Sequence, residues 1–152
     1  MIEIVKDPLI KQSICRTVLE SLPEWFGIPE SREQYIAESA NQHMACAFEA
    51  GTPIGFLCLK QTGDATVELA VMGVMKRFHR QGIGRSLFET ARQLAIESGF
   101  SFMQVKTVKM GLYSEYDATN HFYIALGFRE FELFPTLWDE NNPCQIYVMH
   151  LK

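Results

Sequence analysis

The stretch Val67-Glu68-Leu69-Ala70-Val71-Met72-Gly73-Val74, followed by Met75-Lys76-Arg77-Phe78-His79-Arg80-Gln81-Gly82-Ile83-Gly84 and then Arg85-Ser86-Leu87-Phe88, decides how this chain folds. Its first part is an almost unbroken apolar run with one carboxylate, the pattern of a strand buried on both faces. Its last part places Ile83, Leu87, Phe88, Ala91, Leu94 and Ala95 on one helical stripe. Between them lies a basic corner with two glycines. The start of a helix offers unpaired N–H groups and a partial positive charge, and glycine lets a backbone come close to a bulky anion. A strand entering such a corner is a phosphate-binding device. It is not a P-loop, because no Lys-Ser or Lys-Thr follows Gly84. It is not the dinucleotide fingerprint either, because Leu87 stands where the third glycine belongs. A plain tight turn before a helix is the alternative reading of the glycines alone.

Working outward, the rest of the chain alternates strands and helices. Ile2 to Val5 reads as a strand. Asp7-Pro8 opens a helix carrying Ile10, Ile14, Val18 and Leu22 on one face, stopped by Pro23. An aromatic loop, Glu24-Trp25-Phe26-Gly27-Ile28-Pro29, follows. Ser31 with Gln34 makes a capping box for a helix from Arg32 to about Ala40. Met44 to Glu49 and Ile54 to Lys60 are strands joined by a Gly51-Thr52-Pro53 loop, and with the central strand they form an antiparallel meander. The main helix runs from Ile83 to Ser98 and ends at Gly99. Phe100 to Val108 follows a strand–helix–strand crossover and is expected parallel to the central strand. A helix capped by Asp117 should run to Leu126 and stop at Gly127. Phe128 to Phe134 and Gln145 to Leu151 close the sheet around a polar loop, Pro135 to Pro143, that carries Trp138. The order is β-α-α-β-β-β-α-β-α-β-β, an α/β (α+β) fold with a mixed sheet flanked by helices.

At 152 residues the chain is expected to be one domain, residues 1–152. With 47% hydrophobic and 21% charged residues it is globular rather than disordered. A net charge of −4 argues against a nucleic-acid partner. No apolar run is long enough to span a membrane, and the N-terminus lacks the basic start and apolar core of a signal peptide, so a cytoplasmic protein is expected. Cys15, Cys46, Cys58 and Cys144 have no metal-binding spacing and read as reduced, buried thiols.

The run His79-Arg80-Gln81-Gly82-Ile83-Gly84 resembles the acyl-CoA pyrophosphate loop of the GNAT N-acetyltransferase superfamily, with His79 where the family usually has Gln or Arg. The run Ala118 to Phe128 resembles the family's later helix, which ends in Phe-Tyr and then Gly-Phe, here Phe122-Tyr123 and Gly127-Phe128. Many members carry an asparagine seven residues before this tyrosine, where this chain has Tyr116. Together the two matches and the element order cover about residues 44 to 151.

The resemblance implies an acetyl-CoA-dependent N-acetyltransferase working by direct attack of a primary amine in a ternary complex, with no metal. The amides of Gln81, Gly82, Ile83, Gly84 and Arg85 would hold the diphosphate. His79 and Arg80 belong to the same loop, and Lys76, Arg77, Arg80 or Arg85 would add charge. The central strand and the one after it would splay apart, exposing Met72-Gly73-Val74 to the pantetheine arm. Gly73 suits a bulge where two backbones separate, or else simply relieves crowding. The N–H of Val74 suits an oxyanion donor.

Glu68, the acid of the central strand, matches the base of the protein-lysine-acetylating branch. Strand alternation puts it on one face with Ala70, Met72 and Val74. Its other reading is a structural carboxylate. Tyr123 matches the family's proton donor to the departing thiolate. Trp25, Phe26 and Trp138 look like acceptor-side residues. Glu24, Glu30, Asp139 and Glu140 suggest a small cationic acceptor, with a protein lysine or N-terminus left open, and a homodimer is compatible with all of this. The rival function is a non-enzymatic acyl-CoA sensor or interaction module on the same fold.

Overall fold

The computed structural model describes residues 1–151. Seven strands among the described residues form one mixed sheet in the order β1-β2-β3-β4-β5-β7-β6. The strands are β1 (Ile2–Val5), β2 (His43–Glu49), β3 (Thr52–Gln61), β4 (Thr66–Val74), β5 (Phe102–Val108), β6 (Arg129–Asp139) and β7 (Asn142–His150). The helices are α1 (Pro8–Glu20), α2 (Pro23–Phe26), α3 (Pro29–Ser39), α4 (Ile83–Glu97) and α5 (Ser114–Leu126). The mixed sheet and the antiparallel meander β2–β3–β4 are as the sequence led us to expect.

Two hydrophobic clusters lie on opposite faces of the sheet. One packs Leu87, Phe88, Ala91 and Ala95 of α4 and Tyr123 of α5 on Leu57, Leu69, Met103 and Val105. The other packs Ile14, Val18 and Leu19 of α1 and Ile36 of α3 on Met44, Cys46, Phe56, Cys58 and Val71. Burial on this scale is the main favourable term holding the helices to the sheet.

Several local expectations need correction. Pro23 ends α1 but also starts a short helix, because proline fits the first helical position where no N–H is needed. Trp25 and Phe26 therefore ride on α2 and not on a loop. Pro29 does the same for α3, which begins after Ile28 without any side-chain cap. The Ser31–Gln34 capping box does not form, and Gln34 donates to Glu38 one turn on (2.9 Å). The β2–β3 turn sits on Ala50 and Gly51, with φ of 51° and 80°, and Thr52 and Pro53 already belong to β3. Those two left-handed residues match the twist of a two-residue hairpin.

Helix α5 begins at Ser114 after Tyr113, and Asp117 does not cap it. Its carboxylate instead accepts from the Gly111 amide (2.7 Å), closing the loop before the helix. The span Pro135 to Pro143 is not a loop. β6 runs to Asp139, and the turn is only Glu140 and Asn141.

Two corrections bear on function. Leu59 pairs with Leu69 while Cys58 pairs with Val71, so β4 carries its bulge at Ala70 and not at Gly73. The extra residue reverses the alternation. Met72 and Val74 pack against the α4 cluster, whereas Val71 belongs to the α1 cluster. Glu68, flanked by Val67 and Leu69 of the α4 cluster, points to the α1 face and does not share a face with Met72 and Val74.

Gly73 relieves crowding. A Cβ there would sit 2.9 Å from Leu22 Cδ1 and 3.2 Å from Val18 Cγ1, because α1 lies directly on it. Gly73→Val should overpack this contact at a cost of about 1–3 kcal/mol. Thermal denaturation should register this as a melting temperature lower by about 2–4 °C per kcal/mol.

Candidate functional site

The site begins where β4 and β5 part. They pair in parallel at Thr66↔Phe102, Val67↔Met103 and Glu68↔Gln104, and at no later position. Beyond that point β4 stays with β3 as far as Val74, and β5 stays with β7 as far as Val108. Each strand has a firm partner on its outer side, so the gap is a stable wedge.

The free edge inside it follows from the ladder. The Met75 amide donates to the Ile54 carbonyl (2.9 Å), which fixes the alternation along β3–β4. Gly73 then exchanges its hydrogen bonds with Phe56, and the backbone groups of Met72 and Val74 face the gap. Of the three residues expected to line the opening, two present hydrogen-bonding groups to it.

The corner after β4 is equally open. Lys76–Phe78 form a single 3-10 turn. Arg80 and Gly82 then take φ of 63° and 79°, and α4 starts with Gly82 at its N-cap and no side-chain cap. Among the described residues, the amides of Arg80, Gln81, Gly82, Ile83, Gly84 and Arg85 have no protein acceptor. Six consecutive free donors at a helix start make a cradle for a multiply charged anion. Gly84 serves packing here, since a Cβ would lie 3.1 Å from Phe122 Cζ on α5.

The side chains expected around that anion are mostly engaged elsewhere. Lys76 is ion-paired with Glu24. Arg77 lies over the Phe78 ring (4.7 Å). Gln81 donates to the Arg77 carbonyl (3.1 Å), and Arg85 donates to the Ala125 carbonyl at the end of α5 (3.4 Å). His79 turns back and donates through Nε2 to the Val74 carbonyl (2.5 Å). A carbonyl only accepts, so that nitrogen carries the proton. His79 therefore occupies one of the two edge carbonyls, leaving the Val74 N–H toward the gap. The backbone, and not the cationic side chains, is what this corner offers.

At the base of the wedge Glu68 is 8% exposed, and its carboxylate accepts from Lys106 Nζ on β5 (3.1 Å). The pair spans the point where the strands separate. Tyr123 is buried on α5, with its ring among Phe122, Phe128 and Tyr147 at 5.8–6.4 Å. Burial pushes its hydroxyl well above the free phenol range, and the nearby phenols of Tyr35 and Tyr116 push it further. Tyr35 sits on α3, across the sheet from the cluster that holds the Tyr123 ring. Tyr35 is raised in the same way by burial, by Tyr116 and by Glu68.

Two supports were not read from the sequence. Asn120 is fully buried and donates to the Val108 carbonyl (2.9 Å) and to the Tyr116 carbonyl (2.6 Å), while it accepts from the Tyr147 hydroxyl (2.6 Å). It ties α5 to the end of β5 and to the middle of β7 one turn before Tyr123. Lys106, the lone cation of the β5 run Phe102–Val108, carried a visible signal: a charge in the middle of an apolar strand needs a partner.

On the acceptor side, Trp25 donates through Nε1 to the Glu115 carbonyl (3.3 Å) and accepts from the Tyr116 hydroxyl at its own carbonyl (3.3 Å). Its ring stands edge-on to His79 (6.0 Å). Trp25 thus straps the β4 corner to the start of α5 across the mouth of the wedge. Phe26 stands edge-on to Tyr35 (5.8 Å). Trp138 is not brought to them: it is 45% exposed on β6, and the hairpin tip meets the rim where Tyr113 donates to the Asn141 carbonyl (3.5 Å). The acidic residues read as a cation lure are partly committed, Glu24 to Lys76 and Asp139 to the Asn141 and Asn142 nitrogens of the turn.

The four thiols offer no nucleophile. All four cysteines are buried, and burial pushes the Cys15 and Cys46 thiols up to about 12 and those of Cys58 and Cys144 upward as well. Among the described residues no group of acids, histidines and cysteines could hold a metal ion. None of the described helices is long and apolar enough to cross a membrane.

Residues 12–128 match the profile of the acetyltransferase (GNAT) family. The same fold is found in a structure assigned to the GNAT acetyltransferases from Desulfovibrio desulfuricans, with a TM-score of 0.85 at 18% identity, covering 100% of this chain and 99% of that one. It is also found in an aminoglycoside 6′-N-acetyltransferase complexed with coenzyme A, with a TM-score of 0.75 at 15% identity over 100% and 97% of the two chains. A Salmonella typhimurium protein described as an acetyltransferase and solved with acetyl-CoA gives a TM-score of 0.71 at 16% identity over 100% and 94%.

Proposed function

The chain belongs to the GNAT family of acetyltransferases, and from that premise we propose that it transfers the acetyl group of acetyl-CoA to a primary amine by direct attack within a ternary complex. The observation that carries this reading is the wedge. β4 and β5 are paired at three positions and then part, leaving the edge of Met72 and Val74 in line with the free amides of Arg80 to Arg85. Solved structures of the same fold hold coenzyme A and acetyl-CoA. In this chain the amides receive the diphosphate, and the free β4 edge at Met72 and Val74 takes the pantetheine arm and its thioester.

The chain's own groups then do four things. The Val74 N–H faces the thioester carbonyl and stabilises the negative charge that grows on its oxygen. An alkylammonium, with a pKa of about 10.4, costs about 4–5 kcal/mol to deprotonate at neutral pH. Glu68, held in place by Lys106, takes that proton directly or through a water. As the nitrogen–carbon bond forms and the carbon–sulfur bond breaks, Tyr123 donates a hydrogen bond to the departing sulfur. A thiol's pKa is about 8.5, far below that of the buried phenol, so Tyr123 stabilises the thiolate mainly by hydrogen bonding rather than by surrendering its proton. Trp25 and Phe26 close the acceptor side, and Trp138 stands further out on the rim. The acceptor is a small amine that fits beneath the Trp25 strap.

Thiol release from acetyl-CoA, followed with a panel of polyamines, aminoglycosides, amino acids and peptides, tests the reading. It predicts turnover with at least one small amine and its loss in Glu68→Gln. Tight CoA binding with no turnover on any acceptor would favour a sensor instead.

A further inference from the structure

Aromatic side chains gather where α2, α3 and the start of α5 meet. The Tyr113 ring stands edge-on to Tyr116 (6.1 Å). The Tyr116 hydroxyl donates to the Trp25 carbonyl (3.3 Å), and next along α2 the Phe26 ring stands edge-on to Tyr35 (5.8 Å). Trp25, which straps the mouth of the wedge, is thus the middle of this chain of contacts. None of these side chains is fully buried. Trp25, Phe26, Tyr35 and Tyr116 are half-buried, and Tyr113 is 38% exposed. Trp25, Phe26 and Tyr35 pack partly against the α1 cluster and keep the rest of their surface open. Folded chains seldom leave a contiguous patch of large apolar groups in water without a use for it.

The charged groups around the patch are already matched. Glu24 is ion-paired with Lys76, and the Glu68 carboxylate accepts from Lys106. Glu38 accepts from Gln34, Glu115 from the Ser114 hydroxyl and Asp117 from the Gly111 amide. Arg32 adds a positive charge. It donates through Nη1 to the Phe26 carbonyl (3.3 Å), and its Nε is buried without a partner among the described residues. Burial holds the Tyr35 and Tyr116 hydroxyls above the ordinary phenol range, so both stay neutral and supply no anion. Glu30 and Glu140 are exposed, and a carboxylate in water holds a cation only weakly.

We propose that the acceptor is a monoamine on a short aryl-alkyl body, whose ring packs against Phe26 and Tyr35 while its nitrogen enters the wedge beside Trp25. This rests on the acetyl-transfer reading and narrows the class of acceptor within it. One ammonium loses its charge when Glu68 takes its proton. Each further ammonium of a polyamine or an aminoglycoside would leave water beside Arg32 with no free carboxylate to meet it, and an unpaired charge taken out of water is costly. The acids that suggested a cationic acceptor in the sequence, Glu24 and Asp139 among them, are used within the protein. An aryl ring, by contrast, meets what the patch offers. Aromatic pairs favour edge-on contacts, which Phe26 with Tyr35 and Tyr113 with Tyr116 already make. A linear alkylamine has no ring to join them.

Thiol release from acetyl-CoA with phenethylamine, hexylamine, spermidine and kanamycin tests the proposal, together with an amide map of phenethylamine titrated into the CoA-loaded protein. The expected kcat/KM for phenethylamine exceeds that of each of the others by about tenfold or more. The amides of Trp25, Phe26, Tyr35 and Tyr116 should shift as it binds. Tyr35→Gln should cut the preference for phenethylamine over hexylamine about tenfold, with a melting curve to confirm that the variant folds. If it does not fold, the amide map of the wild-type protein still decides. Spermidine or kanamycin turned over as well as phenethylamine would overturn the proposal and leave acetyl transfer standing. Shifts confined to the groove of about 820 Å³ along β6, lined by Phe102, Phe131 and Ile146 among others, would overturn it too. Shifts at Phe26 and Tyr35 with no turnover of any amine would sink the transfer reading and uphold the aromatic site. Neither turnover nor shifts would sink both.

Discussion

Tyr123→Phe lowers kcat by about 10²–10³-fold, the range expected when one hydrogen-bond donor to a developing negative charge is removed, and it leaves the affinity for CoA unchanged. The ring sits among Phe122, Phe128 and Tyr147, so a phenylalanine keeps all of its packing. Only the hydroxyl is lost. The pH dependence separates this reading from others. Burial and the neighbouring phenols raise the Tyr123 hydroxyl above its ordinary value. It therefore stays protonated through the whole range from about pH 6 to 9, where even a free phenol is neutral. The ratio of wild-type to variant rates should be flat across that range, and any rise of rate with pH should belong to the amine and its base. Steady-state kinetics at several pH values, with CoA binding by calorimetry, check both halves.

Asn120→Leu unfolds the protein at a melting temperature lower by about 5–15 °C, from the roughly 2–4 °C per kcal/mol expected at this size. Asn120 is fully buried, and its amide serves the Val108 carbonyl, the Tyr116 carbonyl and the Tyr147 hydroxyl. The Tyr116 carbonyl keeps its helical partner. The Val108 carbonyl and the Tyr147 hydroxyl are left buried without one, each at about 1–3 kcal/mol. Val108 ends β5 and Tyr147 lies on β7, so the damage falls on the side of the wedge that carries Tyr123. Thermal denaturation measures the loss.

How much of this was legible in the sequence depends on how local the cause was. The strand–corner–helix from Val67 to Leu94 could be read because apolar runs, glycine placement and the helical stripe are all local signals, and the structure realises each of them. Proline was read in one sense only. Pro23 and Pro29 were taken as stops or loop residues, yet at the first turn of a helix their missing N–H costs nothing, so both begin helices. The bulge at Ala70 had no local mark. It arises from the register between β3 and β4, and one extra residue there moved Glu68 to the face opposite that expected.

Gly73 shows the same limit, since its reason is α1, more than fifty residues earlier in the chain. The end of β6 was read as a loop because its proline and polar residues are turn formers, while the pair that closes the hairpin, Asp139 with Asn142, is a tertiary fact. Within the site, the backbone donors could be anticipated from glycines and helix position. The commitments of Lys76, Arg85 and His79 could not, because their partners Glu24, Ala125 and Val74 are set by packing.

The most direct test of the account is an amide-resolved map of coenzyme A binding by nuclear magnetic resonance. The central claim is that the main chain holds the cofactor, along the free β4 edge and at the mouth of α4. Titrating CoA into the labelled protein should shift the amides of Met72 and Val74 together with those of Arg80 to Arg85, and should leave Gly73, which is bonded to Phe56, much less affected. Shifts confined to the β6 groove around Phe131, or none at Met72 and Val74, would contradict it.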